Sequence, residues 1–177
     1  MAIVEFASRV TEEMGDMKGE LVAEVELKSG AHKFFKFWKS QTRSASALHV
    51  PPSEAHKTPH HTSSHIQAVR IHEGDWDTPG SIKIWNYTID GKQEVFKEKV
   101  EVEEDKKLVR LTGLEGDVFK LYKVYNGIWH IIPKGDGYIA KITIEYEKLN
   151  PDVPAPHNYL DFLVRFTKEI DVGLVTA

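Results

Sequence analysis

The stretch GYIAKITIEYEKLNPDVPAPHNYLDFLVRFTKEIDVGLVT, residues 137–176, changes its hydrophobic period half-way. In its first part Tyr138, Ala140, Ile142, Ile144 and Tyr146 alternate with Lys141, Thr143, Glu145 and Glu147. That two-residue period is the mark of a strand with one buried face. Pro151, Pro154 and Pro156 then stop the sheet, because proline offers no N–H to a ladder. Beyond them Tyr159, Phe162, Leu163, Phe166, Ile170 and Leu174 recur at steps of three or four. They form one apolar stripe on a helix of about five turns, roughly 25–30 Å long at ~1.5 Å per residue.

Upstream, the strand pattern repeats. Gly19–Lys28 sets Leu21, Ala23, Val25 and Leu27 against Glu20, Glu24 and Glu26. Ser29 is placed to cap a helix, in which Phe34, Phe35, Phe37 and Trp38 make a broad apolar face. Residues 39–65 are rich in Ser, Thr, Pro and His and read as a loop with at most one helical turn. Strands are expected at Ile66–His72, Gly80–Asp90, Gln93–Glu103, Leu108–Leu114 and Val118–Ile132. Asp90-Gly91 suits a tight hairpin, since both residues tolerate positive φ. Glu104 to Lys107, Glu115-Gly116-Asp117 and Pro133 to Gly137 mark the other turns. The order is strand, helix, six strands as hairpins, long helix, which is an α+β layer. Residues 1–17 read as an N-terminal arm, either a frayed helix or disordered, ahead of one domain over 18–177.

The 177 residues are 41% apolar, enough for one domain with a sizeable core. Net charge is −4 with both signs interspersed, which lacks the basic footprint of a nucleic-acid binder. No apolar run approaches the ~20 residues of a membrane span, and the N-terminus lacks the pattern of a signal peptide. There is no cysteine, which suits a reducing compartment, and the expected location is cytoplasmic.

Six stretches in order carry a family likeness. They are Ile71-His72-Glu73-Gly74-Asp75-Trp76, Gly80-Ser81-Ile82-Lys83 with Trp85, Tyr87 and Ile89-Asp90-Gly91-Lys92, Lys97-Glu98-Lys99-Val100-Glu101, Leu114-Glu115-Gly116-Asp117, Ile132-Pro133-Lys134-Gly135, and Tyr146 to Asn150 running into Tyr159-Leu160-Asp161-Phe162. Together they resemble the major latex protein branch of the Bet v 1 / PR-10 superfamily, over residues 19–175 or so. The resemblance implies a helix-grip fold, a seven-stranded antiparallel sheet wrapped around the C-terminal helix, with a V of two short helices closing one end. It also implies an internal cavity for hydrophobic or amphipathic plant metabolites. The Trp38–Ile66 stretch is about ten residues longer than in typical members, and its composition does not favour the second helix of the V.

Alternation proposes the cavity lining. On 80–90 the faces are Lys83, Trp85, Tyr87 and Ile89, or Ile82, Ile84, Asn86 and Thr88; the family likeness favours the first set inward. Further inward candidates are Phe96, Glu98, Val109, Leu111, Lys123, Tyr125, Trp129, Ile142 and Ile144, joined by Phe34 and Trp38 from the first helix and Tyr159, Phe162, Leu163 and Phe166 from the last. On 118–132 this reading puts Phe119, Leu121, Lys123, Tyr125, Trp129 and Ile131 on one face, with His130 on the surface. Such residues commonly just fill a core, but this set is rich in amphipathic rings and holds Lys83, Glu98 and Lys123. Large rings with a few polar groups are the lining of a ligand pocket.

Other chemistry is sparse. Residues 74–80 occupy the place of the superfamily's glycine-rich loop but lack a phosphate-loop ending, so a plain turn is expected. His49, His56, His60, His61 and His65 share one loop without metal-ligand spacing, and no metal or cofactor is expected. No nucleophile signature is present. The favoured function is a carrier of small hydrophobic ligands of the plant-defence type, working as a monomer or weak homodimer. The alternative is a cyclase, isomerase or condensing enzyme on a terpenoid or alkaloid intermediate, with Glu98, Lys123 and Tyr125 as its acid–base groups. A third reading makes the loop around 40–65 a docking segment for a protein partner.

Overall fold

The alternating residues 137–148 become an interior strand of one antiparallel sheet. The computed structural model describes residues 9–13, 17–46, 66–74 and 79–176. In chain order these form β1 (Arg9–Glu13), β2 (Lys18–Leu27), α1 (Ala31–Ser46), β3 (Ile66–Glu73), β4 (Ser81–Ile89) and β5 (Lys92–Glu103). Then come β6 (Leu108–Gly116), a 3-10 turn (Asp117–Lys120), β7 (Tyr122–Lys134), β8 (Gly137–Lys148) and α2 (His157–Thr176). The spatial order is β1-β2-β8-β7-β6-β5-β4-β3.

The expected seven strands are β2 to β8. The arm adds an eighth: β1 pairs antiparallel with β2, from Arg9 opposite Val22 to Glu13 opposite Lys18. Without it, β2 would be a sheet edge with unpaired N–H and C=O groups, and β-branched Val10 and Thr11 suit a strand. On the other side β2 meets β8 with Leu21 opposite Ile144, Ala23 opposite Ile142 and Val25 opposite Ala140. All six side chains are buried, so register and core formation are the same event here.

Two boundaries move from expectation. Helix α1 runs on to Ser46, because nothing between Lys39 and Ser46 is Gly or Pro; the first proline is Pro51. Ser29 does not spend its hydroxyl on a cap. Its Oγ donates to Asp171 Oδ1 of α2 at 2.5 Å, and its backbone N–H donates to the same oxygen at 2.8 Å. Any second helix of the V, the five-histidine loop and residues 75–78 lie outside the described residues.

Strand β7 starts four residues later than alternation suggests. Gly116 sits at φ 143° against the Val95 carbonyl, where a Cβ would lie 2.3 Å from that oxygen. Asp117 Oδ2 then accepts the Val95 N–H at 2.8 Å, and Asp117 Oδ1 accepts from Lys120 Nζ at 3.0 Å. The chain makes a 3-10 turn there, with Val118 buried beneath it.

Helix α2 covers the sheet with Tyr159, Leu160, Phe162, Phe166 and Ile170, all buried. Polar ties hold it along its length. Tyr159 Oη donates to Glu94 Oε2 at 2.8 Å near its start, and Trp129 Nε1 donates to Thr167 Oγ1 at 2.9 Å in its middle. Near its end Asp171 Oδ2 also accepts the Lys28 N–H at 2.9 Å. No described helix is long and apolar enough to cross a membrane.

Candidate functional site

A pocket of about 60 Å³ lies between the sheet and α2. Its walls are Trp38 from α1, Ile66 from β3, Trp85 and Tyr87 from β4, Phe96 and Glu98 from β5, and Leu111 from β6. Tyr125, Gly127 and Trp129 from β7 and Tyr159, Phe162, Leu163 and Phe166 from α2 complete it.

The walls interlock through their rings. Trp38 lies 5.0 Å from Trp129 and 6.0 Å from Phe166, centroid to centroid, and Phe166 meets Trp85 edge-on at 6.0 Å. Tyr87 leans on Phe162 at 5.3 Å, and Tyr125 touches both Phe96 and Tyr159 at 5.5 Å. Gly127 keeps the space open in mid-strand: a Cβ there would lie 3.2 Å from the Trp129 ring and 3.8 Å from Leu163.

Few polar atoms reach this surface. Glu98 is 1% exposed, and its Oε1 accepts the Trp85 indole N–H. Its Oε2 has no hydrogen-bond partner among the described residues. Burial pushes the Glu98 carboxyl up to about 8, against the opposing pull of the Trp85 N–H and the Lys83 charge. The Trp38 indole Nε1 is likewise buried without a partner among the described residues. At the other end Glu94, half-buried, accepts from Tyr87 Oη at 2.9 Å and from Tyr159 Oη at 2.8 Å. Burial, with the Glu94 charge adding to it, raises the Tyr87 hydroxyl far above its ordinary range, and burial does the same to Tyr125 and Tyr159.

A family model for the pathogenesis-related protein Bet v 1 family matches residues 16–177. The chain belongs to the Bet v 1 family. MLP-like protein 328 of Arabidopsis thaliana is 44% identical over 160 residues, covering 90% of this chain and 97% of that protein. MLP-like protein 329 of the same plant is 39% identical over an equal span and the same shares of each chain. The crystal structure of ginseng major latex-like protein 151 from Panax ginseng superposes with a TM-score of 0.75 at 30% identity, over 88% of this chain and 97% of that one. Norcoclaurine synthase from Thalictrum flavum, at 16% identity and a TM-score of 0.61 over 97% of this chain and 88% of that one, shares the fold alone.

Within this Bet v 1 family chain the candidates separate into three groups. Trp38, Trp85, Tyr87, Phe96, Glu98, Leu111, Tyr125, Trp129, Tyr159, Phe162, Leu163 and Phe166 stand around the pocket. Phe34, Val109, Ile142 and Ile144, each 0% exposed, are packed into the core behind it, and Lys83 is buried beside Glu98 without reaching the pocket wall. Lys123 is the correction. Its side chain is 68% exposed and its Nζ lies 3.5 Å from Glu147 on the outer face. The cause is a register shift between Tyr122 and Val124, which turns both Tyr122 and Tyr125 inward and Lys123 out. Leu121, placed inward with it by strict alternation, is exposed for the same reason, while His130 is exposed as expected.

Three participants escape the alternation argument. Ile66 is the first residue of its strand, where no alternation has yet been set. Gly127 has no side chain to count, although a glycine inside a strand is itself a sign of close approach. Glu94 shares its face with Phe96 and Glu98 by the two-residue rule, and carrying that face two residues back would have found it.

Proposed function

We propose that this protein binds small hydrophobic or amphipathic plant metabolites between its sheet and α2, as a cytoplasmic carrier of the defence-response type. The observation that carries this reading is the pocket itself. It sits at one place where two helices and five strands converge, and its wall holds nine Trp, Tyr and Phe rings and one buried carboxyl, that of Glu98. Family membership supports the same reading. The pocket is smaller than the ~150 Å³ at which an engineered apolar cavity admits benzene, so entry of a ring metabolite moves Leu163 or Phe166 aside. Such a shift costs about 1–3 kcal/mol, which the ligand's own burial offsets.

The test is a native mass spectrum of the protein from its own tissue, beside titration with a neutral, environment-sensitive naphthylamine dye. The expected results are a co-purifying small molecule and saturable dye binding. Leu163→Trp, which fills the pocket from α2, should lose both while keeping its far-ultraviolet circular dichroism. Dye binding equal in the filled variant and the parent would refute the reading. The catalytic alternative lost its inward lysine when Lys123 turned to the surface.

A further inference from the structure

The proposed binding reading, on which this inference rests, leaves two polar atoms unexplained. Glu98 Oε2 and Trp38 Nε1 are both buried, both belong to residues of the pocket wall, and both lack a hydrogen-bond partner among the described residues. Glu98 is 1% exposed and Trp38 4%. Buried polar atoms are nearly always satisfied, so two orphans on residues that share one small, ring-lined pocket wall are a signature of a missing partner. Their chemistry differs. The indole N–H only donates, so its partner must accept. The carboxyl oxygen accepts when ionised and can donate when protonated. A hydroxyl group is complementary to both states. An ether oxygen matches one state only, and an ammonium group the other.

We propose that the pocket takes an uncharged, hydroxyl-bearing ring compound, whose hydroxyl meets Glu98 Oε2 and whose second, accepting oxygen meets Trp38 Nε1. The Phe166 ring, 6.0 Å from the Trp38 ring and 6.0 Å from the Trp85 ring, makes the apolar bed for the ligand's body. Trp85, bound to Glu98 Oε1, fixes the carboxyl so that its other oxygen is the one left for the guest. An anionic ligand is disfavoured, since no Lys, Arg or His stands in the pocket wall to offset its charge.

The test uses four neutral rings and one anion, each titrated against the full chain by calorimetry. Para-xylene is more apolar than para-cresol, so a merely greasy pocket prefers para-xylene. The expected result is the reverse, with para-cresol about tenfold tighter, and that preference collapsing in Glu98→Met. Para-methoxyphenol should likewise exceed para-ethylphenol several-fold, on the order of one neutral hydrogen bond, and lose that margin in Trp38→Phe. Para-toluate should bind weakest. Para-xylene binding as tightly as para-cresol in the parent protein, with no variant needed, overturns this inference and leaves the carrier reading standing. Failure of every probe, together with failure of the naphthylamine dye, overturns both.

Discussion

Strand β5 carries two glutamates on one face, four residues apart, and they are treated in opposite ways. Glu94, at the half-exposed end, receives hydroxyl hydrogen bonds from Tyr87 and Tyr159, one from the sheet and one from α2. Glu98, at the sealed end, has the Trp85 N–H on one oxygen and nothing described on the other. A third carboxylate, Asp171, resembles Glu94: it collects the Lys28 N–H, the Ser29 N–H and the Ser29 hydroxyl. Satisfied carboxylates tie elements together. The unsatisfied one sits in the pocket wall, and the contrast separates groups that hold the fold from a group held ready for something else.

The largest expected effect comes from Glu98. Folded, it keeps its proton up to about pH 8; at its ordinary value of 4.5 it would already have lost it. Between those values the folded state binds more protons than the unfolded state, so stability falls as pH rises through the window and is flat on either side. The total change is on the order of a few kcal/mol, at ~1.4 kcal/mol per pH unit before relaxation and water entry reduce it. The groups facing this carboxyl are Lys83, Trp85 and Tyr125. Urea unfolding from about pH 5 to about pH 8 should show the slope, and Glu98→Gln should remove it. A parent and variant with identical slopes would erase the distinction between Glu98 and Glu94.

Next in size is Asp171→Ala, expected to cost about 2–3 kcal/mol because it removes one buried carboxylate that takes three part-buried donors of the β2–α1 turn. Glu94→Ala should cost less, about 1–2 kcal/mol, because water reaches the half-exposed end and can replace the carboxylate. Chemical unfolding at neutral pH measures both, and the order Asp171 above Glu94 is the result to check. Smallest is Lys123→Ala. With the side chain exposed, it should leave the melting temperature and every probe affinity unchanged; a lost affinity would return Lys123 to the pocket and break the assignment of the Tyr122–Val124 register shift.

Much of this was legible before any coordinates. The strand-to-helix change of period at residues 137–176 gave β8 and α2, and alternation gave the inward sets of β2, β5, β6 and β8. Those signals are local and repetitive, so they survive without tertiary information. What failed was parity across an irregularity. A 3-10 turn followed by a bulge shifts side chains from face to face, and the sequence 118–124 reads as a plausible strand throughout. The role of Ser29 was also hidden, since it depends on a partner 142 residues away. The size of the pocket was illegible for a different reason: it is set by how Phe166, Leu163 and Trp38 close on Gly127, a sum of small packing choices.

The central claim is that a guest lodges between the sheet and α2. The most direct measurement is the set of intermolecular nuclear Overhauser contacts in the complex with para-cresol. Contacts from the bound ring to Trp38, Trp85 and Phe166 are the predicted result. Contacts confined to exposed apolar residues such as Leu149 and Val172, with none to those three rings, would contradict it.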